Sequence, residues 1–65
     1  MTLAQQIRHY RLKQGWTQVE LGKAANIAQP VIARYESGRY DRYSLATLRR
    51  LAEALDVRLV VRFSK

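Results

Sequence analysis

The chain has 65 residues, no cysteine, one histidine and a formal net charge of +7, from twelve Lys and Arg against five Asp and Glu. That length suits one domain, residues 1–65, close to the lower size at which an apolar core holds without a staple, so burial against a second copy is expected to help. The composition excludes disulfide scaffolds, cysteine zinc sites and thiol chemistry, and no apolar run approaches the roughly 18 to 20 residues of a membrane span. With no leader-like start and no cluster of metal ligands, the expectation is a cytoplasmic, non-enzymatic protein with no cofactor, no metal and no membrane attachment.

Four helices and one strand are legible in chain order. Leu3, Ala4, Ile7, Tyr10 and Arg11 fall on one helical stripe, with Thr2 to cap the start and Gly15 to end it, which predicts a helix over about 3–14. Thr17 stands three residues before Glu20, the capping-box spacing, and opens a second helix over 18–25. Asn26 follows, a residue that tolerates the left-handed turn used to end helices. A third helix, 29–36, stops at Ser37 and Gly38. Ser44 caps a fourth, 45–55, whose Leu45, Leu48, Leu51, Ala52 and Leu55 make a wide apolar face.

The period then changes. In "VRLVVRF" Val57, Leu59, Val61 and Phe63 alternate with Arg58, Val60 and Arg62, which reads as a strand over about 57–63. A lone strand leaves its backbone unpaired, so the economical reading is a two-stranded antiparallel ribbon with a second copy of the chain across a twofold axis. A frayed extension of the fourth helix, or an unpaired basic tail, is the alternative.

The basic residues are spread over the helices, which makes a folded cationic surface and points to an anionic partner. Charge alone does not separate nucleic acid from an anionic membrane or an acidic protein. The second and third helices, joined by a turn of about three residues, have the layout of a helix-turn-helix, whose second helix enters the DNA major groove. Winding 29–36 at about 100° per residue puts Ile32, Tyr35 and Glu36 on one side, and Gln29, Pro30, Ala33, Arg34 and Ser37 on the other. An amide suits adenine, a guanidinium suits guanine, and small side chains permit close approach. The bland reading of Gln29 and Arg34 is an ordinary solvated face. Trp16 reads as a core plug, His9 as a surface residue, and the scattered carboxylates show no catalytic pairing.

The stretch "GWTQVELGKAANIAQPVIARYESG", followed by "SLATLRRLAEAL", resembles the Cro/repressor (XRE) family of helix-turn-helix regulators over about Gln6 to Val57. The resemblance implies a mainly α, lambda-repressor-like domain that binds double-stranded DNA. It implies that Gln29, Pro30, Ala33 and Arg34 face bases. Gln18 and Ser37 would lie along the DNA backbone, and Arg39, Tyr40, Arg42 and Tyr43 of the loop would lie along that backbone or near the minor groove between half-sites. It also implies a structural ion pair between Arg11 and Glu36, which agrees with the burial cost of an unpaired arginine on an apolar stripe.

Some positions depart from the family pattern. Ala28 stands where Ser or Thr is usual, which forfeits a cap oxygen worth on the order of 1 kcal/mol. Pro30 biases Gln29 away from helical angles, so Gln29 serves either as the cap or as a base reader. Gly22 and Asn26, where Ala and Gly are usual, read as tolerable variants.

Within the family, "QGWTQ" and the bare "LDVRLVVRF" ending resemble HipB-type antitoxins. That likeness implies homodimerisation through the C-terminal strand residues Val57, Leu59, Val61 and Phe63, a palindromic operator, autoregulation, and a cognate toxin as a further partner. A restriction-modification controller, a phage-type regulator and a protein-interaction module with vestigial DNA binding are the other readings.

Overall fold

The computed structural model describes residues 1–64 and contains four helices: α1 (Leu3–Lys13), α2 (Gln18–Ala25), α3 (Gln29–Glu36) and α4 (Leu45–Leu55). Local chemistry sets their starts. Thr2 accepts from the backbone N–H of Gln5 while the Gln5 side chain accepts from that of Thr2, and Thr17 and Glu20 repeat the same capping box at α2. The Ser44 hydroxyl accepts from Thr47 N at 3.4 Å and starts α4.

One device ends three of the helices. Gly15, Asn26 and Asp56 each take a left-handed conformation, with φ of 75°, 57° and 56°. The next residue then donates its N–H back into the last turn: Trp16 to Arg11 O at 3.2 Å, Ile27 to Gly22 O at 2.8 Å and Val57 to Ala52 O at 3.0 Å. This is the Schellman arrangement, in which the bonded residue is commonly apolar and folds back on the helix. Here all three, Trp16, Ile27 and Val57, pack against the core. Each turn is therefore also a core contact.

Ile7, Leu21, Ala25, Ile32, Tyr35, Leu48, Leu51 and Leu55 form that core, with Leu21 and Ile32 completely enclosed. Burying each such aliphatic side chain contributes roughly 1.5 to 3 kcal/mol. α2 lies at the centre against α3 and α4, and α1 closes the far side against α3. Leu45, at the solvent end of the apolar face of α4, stays exposed.

Two expectations change. Gly22 is not a free packing variant, because a Cβ built there would come 2.5 Å from the Ile27 carbonyl oxygen. The turn that follows α2 closes over this position, and only a hydrogen fits. The second concerns 57–63: among the described residues no strand forms. Val57 and Leu59 pack on the chain's own core, whereas Val61 and Phe63 are exposed, the latter wholly. A single chain offers no edge for this segment to pair with, so its alternation is used internally for two residues and left unused for the rest.

Candidate nucleic-acid interface

Asn26, Ile27 and Ala28 are the only residues between α2 and α3, which sets the two helices as a helix-turn-helix with α3 in the recognition position. Ile32 and Tyr35 sink one side of α3 into the core. On the other side Pro30 and Arg34 are exposed, and Gln29 and Ala33 are half-buried. One guanidinium, one amide and two small apolar groups thus occupy the outer face.

Ala28, not Gln29, holds the N-cap position of α3, with φ −62° and ψ 139°, and it makes no side-chain cap bond. The start survives because Pro30 carries no N–H to satisfy, and Val31 N already bonds Ala28 O at 3.0 Å. The side chain of Gln29 is released from capping and has another partner.

That partner belongs to a chain of hydrogen bonds crossing three helices. Arg11 grips Glu36 in a two-pronged pair, Nε to Oε2 at 2.7 Å and Nη2 to Oε1 at 2.9 Å, and its Nη1 donates to the Trp16 carbonyl at 2.8 Å. The side chains of the pair retain only 10% and 5% of their exposure, so α1 and the end of α3 are locked together out of water. The hydrogen bond to Glu36 raises the Arg11 pKa above its ordinary value, with burial acting in the opposite direction. Gln18 Nε2 donates to Glu36 Oε1 at 3.3 Å, and Gln29 Nε2 donates to Gln18 Oε1 at 2.8 Å. The residues for which the sequence suggests a phosphate contact and a base contact are therefore bonded to one another and to the ion pair.

The loop after α3 is moored by aromatic rings. Tyr35 stacks on Tyr40 with centroids 5.5 Å apart and meets Tyr43 edge-on at 4.9 Å. The Tyr35 hydroxyl accepts from Ser44 N at 2.9 Å, and the Tyr43 hydroxyl donates to Tyr35 O at 3.5 Å. Ser37 donates to Arg34 O at 2.7 Å and accepts from Arg39 N at 3.2 Å. Arg39 and Arg42 stay exposed on this framed loop, while Tyr40 and Tyr43 are half-buried in it. The amide chain and the ring cluster escaped the sequence reading. The available signals were two glutamines at the facing ends of adjacent helices and the spacing of Tyr35, Tyr40 and Tyr43.

Among the described residues no group of three or more His, Cys, Asp or Glu side chains lies close enough to hold a metal ion, and no helix is long and apolar enough to cross a membrane. No curated protein and no solved structure matches the chain. A helix-turn-helix family model matches residues 7–61, from the middle of α1 past the end of α4. With its short α2–α3 turn and outward-facing α3, the chain belongs to the XRE-type helix-turn-helix family of DNA-binding regulators.

Proposed function

We propose that the protein is a homodimeric, sequence-specific transcriptional repressor that binds a palindromic operator and controls its own operon as the antitoxin of a toxin–antitoxin pair. The outer face of α3 carries the reading: Arg34 is exposed and suited to guanine, Gln29 is suited to adenine, and Pro30 and Ala33 leave room for the backbone to approach. Gln18, Ser37, Arg39, Arg42 and the edges of Tyr40 and Tyr43 flank this face as backbone contacts. The net charge of +7 supplies the sequence-independent attraction.

Homodimerisation is supported by unused apolar surface. Val60, Val61 and Phe63 are exposed at the C-terminal end, next to an open groove of about 500 Å³ lined by residues including Leu3, Ile7, Tyr10, Leu51, Leu55 and Leu59. Ribbon pairing of two copies satisfies the backbone of 57–63 and covers these side chains. A dimer of this kind presents two recognition helices to half-sites about one helical turn, near 34 Å, apart.

A gel-shift titration on the DNA upstream of the gene, at two salt concentrations, tests the reading. A salt-sensitive shift that unrelated DNA does not compete away is expected; equal competition by unrelated DNA defeats it. Co-purification with the neighbouring gene product tests the antitoxin role separately, and its failure leaves a regulator of the controller or phage type.

A further inference from the structure

We infer that the Arg11–Glu36 pair is a positioning device for sequence reading: through Gln18 it dictates which way round the Gln29 amide faces the DNA. This rests on the proposed DNA-reading role of α3 and adds to it a residue, Glu36, that touches no base.

The argument is one of donors and acceptors. A side-chain amide has two nearly isosteric ends, an acceptor oxygen and a donor nitrogen, and on an open surface it turns over freely. An ionised carboxylate only accepts. The Glu36 carboxylate accepts two charge-assisted bonds from Arg11 and has acceptors alone to offer, so the group of Gln18 that faces it at 3.3 Å has to be the NH2. Gln18 is then left with its oxygen toward Gln29, and Gln29 has to answer with its own NH2 at 2.8 Å. Polarity thus passes from a buried charge to the first residue of the recognition helix in two steps.

What remains on Gln29 is specific. One N–H and the oxygen Oε1 are free of bonds within the described protein. Together they form the donor–acceptor pair that complements N7 and N6–H2 of adenine, whereas guanine offers two acceptors there. A turned-over Gln29 would lose its bond to Gln18, so presenting the wrong polarity breaks the chain. Arg34 is outside this relay and carries donors only, so its preference does not depend on Glu36.

Selection from randomised duplexes, followed by competition between duplexes differing at one base pair, gives the preference at each half-site position. The position read by Gln29 is the one whose preference disappears in Gln29→Ala. Wild-type protein is expected to prefer its base there about tenfold. In Gln18→Leu, which leaves the ion pair intact, and in Glu36→Gln, where the acceptor-only group is lost, that preference should fall to about threefold or less, with the guanine preference set by Arg34 retained. Full preference in Gln18→Leu, or an equal fall at every position, overturns the relay.

The side-chain amide resonances of Gln18 and Gln29 in the DNA-free protein report the relay independently. Both should move in Glu36→Gln. Unmoved resonances overturn the relay even if DNA reading stands, whereas a wild-type protein that selects no sequence overturns the DNA reading itself. Because Gln18 is half-buried and outside the core, Gln18→Leu keeps the test open if Glu36→Gln does not fold.

Discussion

The hydroxyl of Tyr35, on the buried side of α3, accepts a hydrogen bond from Ser44 N, the N-cap residue of α4, at 2.9 Å. One side chain thereby joins the end of the recognition helix to the start of the next, and the loop between them is framed by its ring. Tyr35→Phe keeps the stacking on Tyr40 and Tyr43 and removes only this acceptor. It should lower stability by about 1 kcal/mol, read as a lower urea midpoint at unchanged slope.

Breaking the Arg11–Glu36 pair from one side is expected to be far more damaging. Arg11→Ala strands the Glu36 carboxylate, 5% exposed, and Glu36→Ala strands the guanidinium. Either should cost about 3 kcal/mol in urea denaturation, a large share of what so small a domain possesses. Replacing both by apolar residues of similar volume should recover much of the loss, since neither charge is then left unpaired.

Acid should weaken α2 before α1. The two helices carry the same capping box, but α2 uses Glu20 where α1 uses Gln5. Hydrogen bonds from the Thr17 backbone and side chain hold the Glu20 pKa below its ordinary value. A depressed folded-state pKa gives stability that is full above the unfolded value and is lost as the pH falls through the folded one. Gln in place of Glu20 keeps the acceptor without the titration. The small difference in melting temperature between wild type and Glu20→Gln should therefore shift against the wild type on going from neutral pH to below the usual carboxylate range.

DNA titrations should separate the arginines by role. Arg34→Ala should lose about 1 to 3 kcal/mol on the selected operator and little on unrelated DNA. Arg42→Ala should weaken binding to both and reduce the salt slope by about one. Equal losses on both DNAs for Arg34→Ala would remove it from the base readers.

Val61→Asp should yield a monomer by light scattering, because it places a charge in the proposed ribbon while Val61 is 68% exposed in the single chain and contributes little to its own fold. A dimer of unchanged affinity after this substitution would move the interface elsewhere.

The helix starts were legible because they are local: Thr17 and Glu20, three residues apart, determine a capping box without help from the rest of the molecule. The outward Arg34 followed from periodicity alone. What stayed hidden depends on helices meeting. Gln29 could be given two roles from Pro30, and only the proximity of Gln18 on the neighbouring helix decides that its amide is not a cap. Gly22 likewise looks permissive in sequence, and the carbonyl of Ile27 folding over it is visible only once the turn is built. The pattern of 57–63 was legible as alternation, but a single chain contains nothing to which Val61 and Phe63 could be matched.

The left-handed turns at Gly15, Asn26 and Asp56 have a mechanical consequence. Each of these turns is sealed by a backbone bond and by an apolar side chain driven into the core, so each joint has a set length and angle. Residues 37–44 are the one connection between helices built differently, secured by rings and a hydroxyl instead of a sealed turn. One added residue at Asn26 would swing the whole of α3 against α2, whereas one added within 37–44 would act first on the ring cluster of Tyr35, Tyr40 and Tyr43. The protein therefore holds α2 and α3 as one rigid unit, and Arg39 and Arg42, the proposed backbone contacts, stand on the one helix connection that is not sealed in this way.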